Sequence, residues 1–590
     1  DGQVINLEAS GSTGSNVIYY WSSGSTGNQS IITNNGSTTD AKSDFSIAAG
    51  FNNIIDETSS YAAIIGGTNS SINNGSGDTF IGGGRSNNLS NTVKYSSIVG
   101  GQENNLTTYS YNALIGGGRN NTLTMSSNNS LIAGGRLNYI SSSRYSSISG
   151  GRSNTISNYS NQSSIGGGKS NEVINNSNYS FIGAGVSNRV IDSFFSFIGG
   201  GNHNIISGNT YNVYHHSYSS TIGGGYYNKI YNTVGGTIAG GYNNRLTNYS
   251  TRSFIGGGNQ NHLDDNSVQS SIVGGGANYI KKSNNSFIGG GNQNHMMIYS
   301  NSSSIIGGNS NTITNYTNNS SVVGGRNNTI ENYSNRSFVG SGSDNIITDF
   351  SNNALIVGGY NNTVINYSNN SSIIGGAYNT ISSVSRQSFI GSGLHNTIDD
   401  SDGSFIGNGN TNHIFSSAYS SIIGGQQNLI GLPFSISNSH IIGSNITATT
   451  SNTTYVEGLN IKNVGTGTSV NTLGVDVSGN VVVGSGGYKV YRALLTQTGT
   501  TAPIHTILEN TLGFTPTWQY AGVGQYSISE TFIQDVTYFT ITPSGNPNFL
   551  HGIQFDTGTN KILINTNNFY STAYTDDVLI KTPIEIIVYQ

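Results

Sequence analysis

The chain has no cysteine, so no disulfide can hold it together and no thiolate can serve as nucleophile or metal ligand. It is almost as poor in charge. Asp, Glu, Lys and Arg make up 8% of its 590 residues, against roughly 25% in a soluble globular domain. A formal net charge of -5 argues against a nucleic-acid partner, which needs clustered Lys and Arg for phosphates. No uninterrupted apolar run approaches the roughly 20 residues that cross a bilayer as a helix, so the chain is read as not membrane-spanning. The first residue is Asp1, with neither an initiator Met nor a leader, which is read as processing or as a segment lying outside this sequence. What is abundant is glycine, at 82 residues, with Asn, Ser and Thr filling the polar positions. A composition this biased implies disorder or a repeat. Disorder goes with high net charge and few aromatics, whereas this chain has 35 Tyr and 21 Phe. An ordered repeat is therefore expected.

The repeat is visible at Ile182, Gly185 and Asn188. A β-branched residue is followed by Gly three positions later, Asn six later and an apolar residue eight later. Ile288, Gly291, Asn294 and Met296 repeat it, as do Ile305, Gly308, Asn311 and Ile313, and Ile390, Gly393, Asn396 and Ile398. The pattern occurs 23 times between Ile47 and Ile430, at a spacing of 16 or 17 residues, with Ser70 as the one replacement of the Asn. About seven residues are inserted around Tyr211 to Tyr218, and a degenerate copy spans Ile441 to Asn445. Sixteen or seventeen residues are too few for a helix pair but suit one coil of a parallel β-solenoid or β-roll.

Residues i and i+2 of a strand share a face. The Asn and the next apolar residue, such as Asn328 and Ile330, therefore point the same way. The residue between them faces out and is Thr, Lys, Arg, His, Tyr or Glu. An inward Asn recurring in every coil predicts a structural ladder through Asn188, Asn294, Asn311, Asn328 and Asn396, each amide bonding to the coils above and below. The repeated Gly is expected at a positive-φ corner. Around the first Ile a second pattern appears. Some coils read Phe254-Ile255-Gly256 or Phe389-Ile390-Gly391; others read Ser97-Ile98-Val99 or Ser372-Ile373-Ile374. This strand is apolar on both faces, and the outer face predicts burial against sister subunits, because a coil this small encloses a thin core.

The form Ser-x-Ile-x-Gly-Gly-x-x-Asn-x-Ile over residues 46–445 resembles the head repeats of trimeric autotransporter adhesins, which form parallel β-rolls assembled as trimers. It is also similar to the Gly-Gly-x-x-Asn repeats of phage and virus tail fibres. The resemblance implies a homotrimer, an extracellular location on a virion or cell surface, and attachment as the function. The stretches Asn452 to Ile461 and Leu473 to Val481 resemble the neck that follows such repeats. The C-terminal residues show no counterpart of the autotransporters' membrane anchor, which favours the tail-fibre side of the resemblance.

Four regions are expected: an N-terminal cap or attachment region (1–45), the repeat shaft (46–445), a neck (446–487) and a C-terminal β domain (488–590). A bare solenoid end exposes strand edges and needs a cap. In the last region, alternating runs such as Tyr488 to Leu495, Lys561 to Ile564 and Ile584 to Tyr589 read as strands of an antiparallel β-sandwich. The fold class is thus all-β. At about 4.8 Å per coil, the shaft would extend roughly 110 Å.

Candidate chemistry is sparse, and no enzyme activity or cofactor is expected. Asp264-Asp265 and Asp399-Asp400 with Asp402 are carboxylate pairs of the kind that cleave glycans or hold a cation, but they fall at the variable corner and read as solvated turns. His262, His295 and His413 share the outward site two or more coils apart, too far for one chain to chelate a metal with them. His215-His216 lies in the inserted stretch. Calcium-binding β-rolls need a recurring Asp in the Gly-rich turn, which is missing here. Tyr recurs five residues after the Asn, among others at Tyr159, Tyr249, Tyr299, Tyr333 and Tyr367. This row is read either as a sugar-stacking surface or as rings that merely cover the neighbouring corner. The favoured function is an attachment fibre presenting a binding domain to a cell-surface glycan or protein. The alternatives are a subunit of an extracellular filament or sheath, joined end to end, and a glycan-cleaving spike.

Overall fold

The computed structural model describes residues 4–6, 16–21, 29–34, 40–208, 217–431, 433–458, 472–475, 481–484, 488–530, 537–542, 549–568, 573–576 and 579–589. Tyr211, His215 and His216 of the inserted stretch, and half of the neck, lie outside them. The chain forms two units, Asp1–Gly458 and Leu459–Gln590. All of the regular structure among the described residues is β.

The first unit is a parallel β-solenoid of about 24 turns. One coil shows why the sequence folds this way. Phe287–Ile288 is a two-residue strand of the first sheet, pairing in parallel with Ser271–Ile272 on one side and Ser304–Ile305 on the other. Gly291 turns the chain with φ 83°. A Cβ at Gly291 would stand 2.1 Å from the Gly308 carbonyl oxygen and 2.7 Å from the Asn294 amide nitrogen, so no other residue fits. The chain then forms a single bridge at Asn292, between Gly276 and Asn309. It continues into His295–Met297 of the second sheet, which pairs with Tyr279–Lys281 and with Thr312–Ile313. A second corner returns it to the first sheet. The core is the space between the sheets, filled by two aliphatic columns. Ile272, Ile288 and Ile305 come from the first sheet and Ile280, Met296 and Ile313 from the second, all fully buried. Two apolar side chains per coil contribute about 1.5–3 kcal/mol each, which is thin for so many ordered residues. Hydrogen bonds between coils must do the rest.

Asn188, Asn294, Asn311, Asn328 and Asn396 are all fully buried. The Asn294 amide nitrogen donates to the Gly290 carbonyl (2.9 Å) in its own coil and to the Gly308 carbonyl (3.1 Å) in the next. Its oxygen accepts the backbone N–H of Asn311. The ladder thus runs mainly from side chain to backbone. Direct amide-to-amide bonds occur only at some steps, such as Asn396 to Asn379 (3.1 Å). These bonds pair the backbone groups that the Gly corner would otherwise leave buried and unpartnered.

A serine ladder supports the opposite corner. Ser303 Oγ donates to the Thr317 carbonyl (3.0 Å) and accepts the Ser320 N–H (3.1 Å). Ser320 repeats this with the Ser334 carbonyl (3.2 Å) and the Ser337 N–H (3.0 Å).

The two coil lengths differ at this second corner. The 17-residue coil after Ile288 begins this corner with left-handed backbone at Ile298 and Tyr299 in succession, the 16-residue coil after Ile272 with Lys282 alone; each has one more such residue further on, Ser302 and Asn285. Asn and other polar residues tolerate this conformation best, and a β-branched or aromatic residue there is strained by about 1–2 kcal/mol.

Two sequence readings need adjustment. In the first coil the inward residue is Ala48, which pairs with Ile64, while Ile47 pairs with Ala63 and is exposed. Phe51 still bridges Thr68 and Ile55 pairs with Ile72, so only the inward position moves, the first coil having one residue fewer between it and the bridge after the Gly corner. At the other end, parallel pairing continues beyond Asn445, with His440–Ile442 joined to Thr454–Val456. Before the first coil, Val4–Asn6, Asn16–Trp21 and Gln29–Asn34 form an antiparallel meander. Its last strand pairs in parallel with Ile47–Gly50, so the edge of the first sheet is not bare.

The second unit contains two four-stranded antiparallel sheets. One orders Ile504–Asn510, Tyr488–Thr496, Thr582–Tyr589 and Thr537–Ile541; the other orders Trp518–Gly522, Gln525–Ile528, Lys561–Asn568 and Phe549–Asp556. Tyr491, Leu495 and Ile586 from the first share one core with Trp518, Tyr526 and Ile564 from the second. The polar ends of the aromatics are partnered inside: the Trp518 indole N–H donates to the Tyr491 hydroxyl (3.4 Å), and the Tyr520 hydroxyl donates to Asp576 (2.9 Å).

Candidate functional site

Because ladders occupy the interior, only side chains at the corners and on the outer sheet faces can meet a partner. The tyrosine row sits at the second corner of the coil. Its members take the second left-handed position, as at Tyr159 (φ 62°), Tyr333 (φ 62°) and Tyr367 (φ 60°). Register is fixed by backbone bonds such as Tyr333 N–H to the Asn315 carbonyl (2.9 Å) and Tyr316 N–H to the Ile298 carbonyl (2.8 Å). A second amide row buttresses it. Asn335 Oδ1 accepts the Asn318 N–H (2.7 Å), and its Nδ2 donates to the Tyr333 carbonyl (2.8 Å).

The rings are not equivalent. Tyr299, Tyr316, Tyr333, Phe350 and Tyr367 occupy consecutive coils, with centroids 5.2, 5.0, 5.0 and 4.9 Å apart; the last three pairs are parallel to within 4°. Each ring here covers the next, so Tyr333 offers an edge and no face. Sugars stack on faces. Only the terminal rings, Tyr299 and Tyr367, have an outer face not covered by the run. This half of the row reads as a structural stack worth about 0.5–1.5 kcal/mol per contact.

Tyr159 differs. It is 66% exposed and stacks on no other ring among the described residues. The sequence gives the reason. Two coils earlier the equivalent position is Ser126, and the intervening coil is a 16-residue one whose corner begins with a single left-handed residue, Ser142. A small side chain and a one-residue deletion together leave a surface cleft of about 550 Å³, lined by Thr108, Met125, Ser126, Ser142, Arg144, Tyr159 and Asn161. The Arg144 backbone N–H donates to Asn161 Oδ1 (2.7 Å), which ties the floor together. The cleft thus brings an open aromatic face, a guanidinium, a thioether and several hydroxyls into one concavity. Arg144 and the gap beside Tyr159 were not singled out from the sequence. The signal was the place of the missing residue in the coil.

The acidic clusters are engaged between coils. Asp264 accepts from the Thr247 hydroxyl (2.6 Å) and the Asn248 amide (2.9 Å). Asp265 faces Lys281 at 3.1 Å. Burial works to raise the Asp265 pKa, but the bonds from Lys281 and Asn248 outweigh it and hold the carboxyl below its usual range. Asp399 accepts from Ser382 (2.5 Å), Asp400 from Ser416 (2.9 Å) and Asp402 from the Arg386 N–H (2.7 Å). His262 and His295 flank Tyr279 in consecutive coils, with ring centroids 6.1 and 6.3 Å from it. Burial lowers the pKa of His262, His295 and His413, and the neighbouring Arg245 lowers that of His262 further. Among the described residues no group of three or more His, Cys, Asp or Glu is placed to hold a metal.

The outer face of the first sheet is apolar over most of its length, with breaks at coils such as Ser147-Ile148-Ser149 and Thr237-Ile238-Ala239. Phe254, Phe287 and Phe405 alternate with Val99, Ile306, Ile374 and Ile423, all more than a third exposed. The alternation has a steric cause. In the Phe coils the residue two positions on is Gly: a Cβ at Gly289 would sit 2.4 Å from the Ile306 carbonyl oxygen and 3.2 Å from Phe287 Cε1, and one at Gly256 2.3 Å from the Val273 carbonyl oxygen and 3.2 Å from Phe254 Cε1. A coil with Phe before its inward residue therefore has Gly after it, whereas the smaller Leu355 leaves room for Val357 on the other side of Ile356.

Compared with known protein families and with curated proteins, the chain matches none.

Proposed function

We propose that the chain is a fibrous attachment protein of the extracellular space, carried on a virion or cell surface, whose solenoid contacts a surface glycan at the Tyr159 cleft. The observation that carries this reading is the open Tyr159 face beside Arg144, Asn161 and the corner hydroxyls. An aromatic platform edged by donors and acceptors is what a sugar ring needs, with one apolar face to stack and hydroxyls to pair. The test is glycan-array binding by the full chain and by Tyr159→Ala and Arg144→Gln. Loss of binding in both variants supports the cleft. Full retention moves recognition elsewhere, with the C-terminal sandwich as the next candidate for a glycan or protein partner.

The proposal includes self-association through the apolar outer strip, as the homotrimer that the repeat resembles. A line of apolar groups recurring in most coils is best matched by a surface with the same pitch, and a second copy of this chain has it. The filament alternative draws on the same strip. Electron microscopy separates them, with discrete particles supporting the attachment fibre and continuous filaments the structural subunit.

A further inference from the structure

The charges of this chain are not evenly spread. Residues 81–170 hold seven Lys or Arg and a single Glu, a net charge of +6 in a chain whose total is -5. Five of the seven fall on one line. The residue after the corner Gly forms the single bridge between coils, and along this column Arg85, Gln102, Arg119, Arg136, Arg152 and Lys169 follow one another directly. All five cations are exposed. Arg119 approaches Glu103 at 3.8 Å; Arg85, Arg136, Arg152 and Lys169 make no ion pair among the described residues.

This arrangement is costly for the isolated chain. Bridged neighbours lie about 4.8 Å apart, and like charges at that separation on paired strands destabilise them. The fold does not demand it, since the same column later carries Asn292, Ser343, Ala377, Leu394 and Asn410. The surroundings are open. Each cation is preceded by a glycine, as Gly84, Gly118, Gly135, Gly151 and Gly168, and followed by Ser86, Asn120, Leu137, Ser153 or Ser170. No aromatic ring stands in the row or beside it in the chain.

We infer that this row is a binding site for an acidic polysaccharide lying along the solenoid axis, with its carboxylate or sulfate groups meeting Arg85, Arg119, Arg136, Arg152 and Lys169. The row spans about 24 Å at the strand spacing. It presents one positive charge per coil on all but one coil, a straight, regularly spaced track suited to an extended polymer with one anionic group per sugar. The flanking glycines leave bare backbone over which a sugar chain can settle. A single-stranded nucleic acid fits less well, because its binding relies on bases stacking on aromatic side chains, and this edge has none. The site lies at the other corner of the coil from the Tyr159 cleft and does not depend on that reading.

The test uses the full chain with polygalacturonate, which carries a carboxylate on each sugar, with dextran as the neutral control and an oligodeoxythymidine as the rival polyanion. Binding is measured by calorimetry at low and moderate salt. The expected result is salt-sensitive binding of polygalacturonate but not dextran, weakened at least tenfold when the five cations are changed to Gln. The single variant Arg136→Glu weakens it several-fold, whereas Arg326→Gln, in the same column but far along the stack, leaves it unchanged. A melting temperature equal to or above that of the wild type shows that the five-residue variant is folded; if it is lower, Arg136→Glu decides. Equal binding by wild type and variants, no binding by wild type, or tighter binding of the oligonucleotide would each overturn the inference.

Discussion

The side-chain oxygen of Asn294 accepts the backbone N–H of Asn311, one coil further on, at 3.0 Å. This bond is repeated with the next coil when Asn311 accepts the N–H of Asn328 at 3.0 Å, so each amide holds its neighbour's strand in place. Asn294→Ala strands the Asn311 N–H and the Gly290 carbonyl, whereas the Gly308 carbonyl keeps the Asn292 N–H at 2.9 Å. The cost is expected to be about 3 kcal/mol, from buried groups left unpaired. Because a stacked array opens locally, native-state hydrogen exchange is the measurement. Protection should fall most in the coils on either side of residue 294.

Tyr333→Ala separates structure from recognition. Its ring is sandwiched between Tyr316 and Phe350, so removal loses two stacking contacts, about 1–3 kcal/mol in all. Thermal unfolding should shift down while glycan binding stays at the wild-type value. Tyr159→Ala should do the reverse.

Three partly desolvated imidazoles on the outer face make the solenoid sensitive to mild acid. His262, His295 and His413 are held below the ordinary value by burial, His262 also by Arg245. The fold therefore favours their neutral forms. Their contribution is complete above the unfolded value near 6.5 and is lost as pH falls through the lower folded value. The melting temperature should drop between pH 7.5 and 5.0, and by less in a variant with Thr at all three positions, as Thr312 and Thr397 already provide in other coils. Glu331 acts in the opposite sense: burial, then Asp349, holds its carboxyl above the usual range. Its favoured protonated form is lost as pH rises, so Glu331→Gln should gain stability near neutrality.

Charging the outer strip should keep copies apart. Ile306 and Ile374 are 50% and 40% exposed, so Ile306→Asp with Ile374→Asp meets little penalty within one chain. Sedimentation should show the wild type as an assembly and the double variant shifted towards the single chain. A wild type that sediments as a monomer would defeat the assembly proposal.

The parallel solenoid, its period and the buried Asn column were legible because each is a fixed offset in sequence. Strand periodicity puts Asn294 and Met296 on one face without any knowledge of coil shape. The serine ladder was equally periodic, at two residues before each inward Ile, yet Ser303 and Ser320 read as ordinary polar residues because a hydroxyl carries no facing signal of its own. The ring stack was half legible. Spacing placed Tyr316 and Tyr333 in a row, but only the 17-residue coil brings successive rings into contact. What escaped was the effect of one missing residue. A deletion in the coil beside Tyr159 changes nothing in the repeat motif, yet it decides whether that ring faces a neighbour or a cleft.

Each coil is held by the one before it and the one after it, at a separation of 16 or 17 residues in all but a few places, such as the inserted stretch between Ile198 and Ile222. Folding can therefore proceed by accretion, each finished turn serving as template for the next, with the N-terminal meander as a starting seed at Ile47–Gly50. The same sameness creates an ambiguity, for a slip of one whole turn would still satisfy every Asn and Ser in the interior. Irregular turns such as the one before Tyr159 then act as index marks that tell neighbouring turns apart. Gain or loss of whole turns away from such marks becomes a nearly free way to alter reach.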